Sequence, residues 1–339
     1  MQLDIGPSLN GPGTPNVAWS SVSSLYLVAW GRTNGVAIQR LSATGVKIDP
    51  APVIIRSNHF GAADVAAIGD TFLITTRKYG YTPQYIDAYG TRVRGSDGAV
   101  LDTLLLGGGY VASPPAVTTL GGKFYAAFHS NWSHDDSGAS LIGVLVPTTG
   151  TNLTSSGLNI FSTAGGNGIF EVGLASSGDT ALLAQSQELT SGVENDLLCF
   201  IIQTNGTASP MINLTPWAGN QYRPRVAWDG SNFVLTYQDQ RNRLAPGTLD
   251  QLDARSDIFA MRVSGTGAIL DPQGFVLSAS ATGETDPTVM SQNGVSLFAW
   301  AQMFNDTNFA NYRIVIARLD ASVNKWPVAV ATVSTNGGD

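Results

Sequence analysis

Cysteine is nearly absent from this chain: Cys199 is the only one, so no disulfide can form within it. Its setting in the apolar run Leu197–Ile202 makes it a small buried hydrophobe rather than a reactive thiol. Charge is also sparse, at 13% of residues, and lysine is confined to Lys47, Lys78, Lys123 and Lys325. A formal charge of −7 with no clustered basic run excludes a nucleic-acid partner and disfavours an anionic membrane surface. No apolar run approaches the roughly 18 residues that would span a bilayer, so membrane insertion is not expected. A Ser/His/Asp pattern, a phosphate-binding glycine loop and a metal-ligand signature are all missing, and no cofactor is expected.

Hydrophobic residues, at 43%, are plentiful and come in short runs separated by Gly, Ser, Thr and Asn, the pattern of many short strands joined by polar turns. A phrase recurs along these runs and is clearest in Pro224–Tyr237 (PRVAWDGSNFVLTY), Asp257–Val263 (DIFAMRV) and Gly267–Ser278 (GAILDPQGFVLS). Anchored on Val17, Val65, Val117, Val172, Val226 and Val289, it returns at intervals of 48 to 63 residues. Four short strands per repeat at such a period predict an all-β fold, a six-bladed β-propeller of four-stranded antiparallel blades. A single domain over 1–339 is expected, with blades near 15–60, 61–112, 113–167, 168–221, 222–283 and 284–334. Residues 1–8 are expected to supply the ring-closing strand, with 328–332 competing for that place.

Turn chemistry divides the loops. First-to-second strand turns such as Ile68–Asp70 and Asp229–Ser231 are short and formulaic, as are third-to-fourth turns such as Ala43–Gly45 and Gly265–Gly267. Alternate turns of an up-and-down sheet share an edge, so that edge is read as scaffold. Second-to-third connections diverge instead: 77–85, 129–136, 185–195, 238–256 and 302–311 read as long, unlike insertions on the opposite edge, where binding residues usually lie. Arg40, Arg92, Arg262 and Arg318 recur on third strands, and Asp87, Asp196 and Asp257 recur just before them. A charge repeated in this way predicts hydrogen bonding between blades.

The opening P-x-V-A-x-D-G, the middle D-I-x-x-x-R-V and the ending G-x-x-L-D-P-x-G-F resemble the repeat of a family of secreted or surface-anchored bacterial β-propeller proteins. Blade five matches throughout, blades one, two and six in part. The resemblance implies an extracellular propeller module and carries no catalytic motif. Met1–Gly6 has neither the basic start nor the apolar core of a signal peptide. The expectation is a secreted or cell-surface protein whose leader is absent from this sequence, a monomeric module of a larger chain.

Function is expected on the long-loop edge. Arg77, Tyr79, Tyr81, His129, Trp132, His134, Trp217, Tyr222, Arg241 and Phe304 are the candidate ligand contacts, because aromatic faces among polar groups suit a carbohydrate or protein partner. His129, His134, Asp135 and Asp136 have metal-capable side chains but match no metal motif. The alternative is a polysaccharide-active hydrolase or lyase, which needs two carboxylates about 5 to 10 Å apart. Its candidates are Asp135, Glu188, Asp239 and Asp306. A structural spacer is the third reading.

Overall fold

The computed structural model describes residues 15–32, 35–79, 86–111, 113–131, 138–151, 153, 158–164, 171–188, 194–241, 256–280, 283–306, 309–320 and 328–333. Its regular structure is all β, in six four-stranded antiparallel sheets of consecutive strands. Sheet one holds β1 (Asn16–Ser20), β2 (Leu25–Arg32), β3 (Gly35–Ser42) and β4 (Val53–Ser57). Sheet two holds β5 (His59–Ile68), β6 (Thr71–Tyr79), β7 (Ile86–Arg94) and β8 (Val100–Gly107). A two-residue strand, β9 (Tyr110–Val111), pairs with one strand of sheet two and one of sheet three. Sheet three is β10 (Ala116–Leu120), β11 (Lys123–Asn131), β12 (Gly138–Val146) and β13 (Leu158–Ala164). Sheet four is β14 (Val172–Ser176), β15 (Thr180–Glu188), β16 (Asn195–Gln203) and β17 (Ile212–Asn213). Sheet five is β18 (Gln221–Trp228), β19 (Asn232–Asp239), β20 (Asp257–Ser264) and β21 (Phe275–Ser278). Sheet six is β22 (Glu284–Gln292), β23 (Val295–Asp306), β24 (Phe309–Asp320) and β25 (Val328–Val333). All six anchor valines lie in first strands. The outer place in sheet six is taken by β25, the competitor named above, and residues 1–8 lie outside the described residues.

The chain divides into two compact units, Met1–Ile169 with Gln203–Thr207, and Phe170–Ile202 with Ala208–Asp339. In each, sheets pack face to face, and the two-residue period of a strand explains why second strands are apolar throughout. In the first unit Phe72 and Ile74 of β6 pack with Leu27 and Ile38 of sheet one, while Leu73 between them packs with Phe124 and Phe128 of sheet three. The second unit repeats this in β19. There Phe233 and Leu235 meet Leu182 and Leu197 of sheet four, and Val234 meets Phe298 and Trp300 of sheet six. Each fully buried side chain of this kind contributes about 1.5 to 3 kcal/mol. Cys199 is one of them, and burial pushes its thiol up to about 12.

Candidate functional site

The edge with formulaic turns is bonded as a scaffold. Within sheet two the first and last turns meet: Gly95 N donates to Asp70 O, and Ser96 N and Oγ donate to the Asp70 carboxylate. Between sheets the recurring arginines act. Arg40 Nε and Nη2 grip Asp49, and its Nη1 reaches across to Gly95 O at 2.9 Å and Ser96 O at 2.8 Å in sheet two. Arg92 repeats the device one sheet on, gripping Asp102 and donating to Pro147 O and Gly150 O of sheet three. Arg262 holds Asp271 in the same way. The aspartates paired with these arginines are thus those nine or ten residues further along, Asp49, Asp102 and Asp271, and not members of the recurring set Asp87, Asp196 and Asp257. Their signal was the recurring Asp of the G-x-x-L-D-P ending.

On the opposite edge the strands run further than the sequence predicts. Arg77 lies within β6, His129 within β11, Gln185 and Gln187 within β15, and Gln238 and Asp239 within β19. Polar residues ended the expected strands because they break the apolar pattern, yet His129, Gln185, Gln187 and Asp239 are fully buried. In sheet six the supposed irregular insertion is a regular hairpin, paired out to Asp306 and Phe309.

Several predicted contacts therefore face inward. His129 is a core histidine whose backbone N and Nδ1 lie 3.3 and 3.4 Å from Ser113 Oγ, which removes it as a loop ligand. Arg241 is packed between the rings of Trp217 and Phe259, at 4.0 and 4.2 Å. Its guanidinium is held by Asp239, the Tyr237 hydroxyl and Gln273 O. Asp239, fully buried in that pairing, cannot be a carboxylate at an open mouth, and Tyr222 is buried as well. Tyr79, Glu188, Phe304 and Asp306 are placed by backbone alone, in β6, β15 and β23. Tyr81, Trp132, His134, Asp135 and Asp136 lie outside the described residues. Among the described residues no group of three or more His, Cys, Asp or Glu is placed to hold a metal ion.

What the fold brings together instead lies where β14, β18 and β22 begin. Arg223 and Asp286 sit at irregularities in the pairing of β18 and β22, each directly before a proline, with φ of 52° and 53°. A side chain at positive φ is strained, and a following proline restricts the backbone further. Each such residue costs about 1 to 3 kcal/mol. Gln238, buried beneath, offers Oε1 to Arg223 Nη1 at 3.2 Å and to Asp286 N at 3.3 Å. Arg223 Nη1 also donates to Thr285 Oγ1. Above them Arg223 lies 3.0 Å from Asp286 Oδ1 and 3.7 Å from Glu171 Oε1, and Arg225 lies 2.9 Å from Glu171 Oε2. The side chains are 29% (Arg223), 31% (Glu171), 40% (Arg225) and 65% (Asp286) exposed. Ion pairs this accessible return about 0 to 1 kcal/mol each. The ion pairs alone therefore do not offset the strain, and the hydrogen bonds to buried Gln238 and Thr285 hold the two residues in place. The sequence did carry a signal, a charge-proline pair three residues before the anchors Val226 and Val289, but the phrase read as scaffold.

Two further carboxylates are near by but sealed. Glu284 is fully buried, and its oxygens accept from Ser278 Oγ, Trp300 Nε1 and Ser280 N. Burial pushes its carboxyl above the usual range, against those hydrogen bonds and with help from the Asp257 charge. Asp257 is 2% exposed.

In the first unit, His59 is buried with Nδ1 2.8 Å from Thr76 Oγ1 and its ring 5.1 Å from Tyr89. Burial, then the charges of Lys78 and Arg56, lower its pKa to about 4. The sign follows from proton counting: from pH 6.5 to 4 the unfolded chain binds the proton and the folded chain does not, so acid favours unfolding. Stability is expected to fall by about 2 kcal/mol from pH 7 to pH 5 through this residue. Urea unfolding of the protein and of His59→Gln at both pH values checks it: the variant should lack that part of the loss, and equal slopes would refute the assignment.

No protein-family model matches this chain, and no curated protein matches it. Solved structures do. A protein of unknown function from Dyadobacter fermentans aligns over 91% of this chain and 94% of its own, at 12% identity and a TM-score of 0.57. Hydrazine synthase of Kuenenia stuttgartiensis aligns over 91% and 78%, at 12% identity and 0.52. The Dos1 propeller aligns over 96% and 70%, at 13% identity and 0.50. At such identities the likeness shows the fold alone, and that fold is of the β-propeller class.

Proposed function

We propose that the chain is a six-bladed β-propeller from a secreted bacterial protein, and that it binds carbohydrate through Glu171, Arg223, Arg225 and Asp286. The observation that carries this reading is the strained, half-exposed group of two guanidinium and two carboxylate side chains on the first strands of sheets four to six. Guanidinium forks donate in a plane and carboxylates accept in one, so together they can read the paired hydroxyls of a sugar ring without reacting with it. The family resemblance supports the extracellular setting and names no ligand.

A screen of glycans and polysaccharides for binding and for product release tests the proposal. A bound glycan is expected, with affinity reduced about tenfold or more by Arg225→Ala and by Asp286→Ala, roughly one lost charge-assisted hydrogen bond. Asp97→Ala, at the scaffold edge, should leave it unchanged. No bound glycan, or binding indifferent to both variants, would overturn the proposal. The hydrolase reading has one observation in its favour, the raised pKa of Glu284 beside Asp257. Product release abolished by Glu284→Gln would put that reading first; the burial of both carboxylates argues against it.

A further inference from the structure

The first unit gathers a basic patch that is dispersed in the sequence. Arg32 ends β2, Arg56 lies near the end of β4, and Arg77 and Lys78 lie near the end of β6, all at the long-loop edge of sheets one and two. Pairing sorts them by face: Lys78 lies directly across from His59 and shares its face, Arg77 points to the other face of β6, and Arg32 shares a face with Ser57 and not with its neighbour Arg56. Arg56 and Lys78, two of the 18 basic residues of a chain with net charge −7, are the pair whose charges act on His59. The carboxylates close by are Asp87, across from Lys78, and Asp64, whose oxygens accept from Val65 N and Val117 N.

Within this corner His59 is 6% exposed, and Thr76 engages its Nδ1. Among the described residues Nε2 has no hydrogen-bond partner. Asn58, directly before it, is held at φ 61°, a strained setting that fixes the turn from sheet one into sheet two. Arg56 Nε donates to Thr91 Oγ1 at 3.2 Å, which tethers the guanidinium to sheet two. If the Thr76 hydroxyl donates to Nδ1, the neutral ring presents Nε2–H as a donor, and the charges of Lys78 and Arg56 both act on that ring.

We infer that Arg56, Lys78 and His59 form a second binding site, for an oxyanion carried on a polysaccharide, either the carboxylate of a uronic acid or a sulfate ester. It supplies two positive charges, one of them partly offset by Asp87 across from Lys78, and one neutral donor, which suits a single anionic group and gives a neutral sugar little to hold. The carbohydrate part rests on the function proposed above, while the anion chemistry stands on this corner alone.

Titration of the whole chain with polygalacturonate, its fully methyl-esterified form, dextran sulfate and sodium sulfate tests the inference. Polygalacturonate or dextran sulfate is expected to bind, the methyl ester at least tenfold more weakly. The double variant Arg56→Gln/Lys78→Gln should weaken binding by tenfold or more, and Arg94→Gln, which removes a cation at the scaffold edge, should not. His59→Phe should weaken it too, whereas His59→Gln, which keeps a donor, should retain more affinity. Absence of binding to either polyanion, or equal loss with Arg94→Gln, would overturn the site. Sodium sulfate saturating it at the concentration of the polymer would overturn the polysaccharide assignment in favour of a free anion. Neutral glycans still bound through Arg225 and Asp286 would show that the first proposal survives such a failure.

Discussion

Replacing Arg92 by alanine is expected to destabilise the protein by about 2 to 3 kcal/mol, the range for losing charge-assisted hydrogen bonds whose partners stay partly covered. The side chain is 2% exposed and satisfies three partners, the Asp102 carboxylate in its own sheet and the Pro147 and Gly150 carbonyls in the next. Alanine leaves a partly covered carboxylate without its counter-charge and two carbonyls without donors. The companion change Arg94→Ala sits two residues along the same strand, where the Arg94–Asp97 pair is about half exposed, and should cost under about 1 kcal/mol. Urea unfolding of the two variants gives the comparison. Equal losses would mean that the bonds between sheets carry no special weight.

The second large effect is expected at Gly173, in β14. A Cβ there would lie 2.6 Å from Pro224 O and 3.0 Å from Pro224 C, so the obstacle is backbone. No rotamer change relieves it, and β14 and β18 must move apart. Gly173→Val is expected to cost about 3 kcal/mol, the upper part of the range for overpacking. Because Pro224 separates Arg223 from Arg225, the same shift should also displace both guanidinium groups, so glycan affinity should fall even in protein that remains folded. Gly122→Ala is the control for side-chain addition alone: its Cβ would meet nothing within 4 Å, though its φ of 73° brings a smaller backbone penalty. A Gly173→Val protein with native stability and native binding would show that the close approach does not set the site.

The sheets were legible because two signals agree in every repeat. Val65 or Val226 opens an apolar run, and a turn residue such as Gly69 or Gly230, both at positive φ, closes the hairpin. The bonds that Arg40 and Arg92 make between sheets were legible for a related reason, since a charge repeated at four third-strand positions cannot belong to one site. The candidate site was not. Arg223 and Asp286 precede prolines, and a residue before proline reads as extended, so their left-handed backbone leaves no local trace. His129 was misplaced by its neighbours: His-Ser-Asn-Trp looks like a solvated loop, but Ser113 contributes a hydroxyl to the buried ring from sixteen residues away. The basic corner was invisible because Arg56 and Lys78 lie on different strands and come near His59 only through pairing and packing.

The arginine contacts also run one way along the chain. Arg40 in sheet one takes carbonyls from sheet two, and Arg92 in sheet two takes carbonyls from sheet three, each time toward the later segment. During synthesis each arginine would therefore emerge before its partners and wait, with only its own aspartate to neutralise it, for the next sheet to arrive. Trimming the first unit from its two ends is then not symmetrical. Loss of the leading sheet uncovers carbonyls in the turns, whereas loss of the trailing sheet uncovers a guanidinium still paired with its own aspartate, so one truncation bares an acceptor edge and the other a cationic edge.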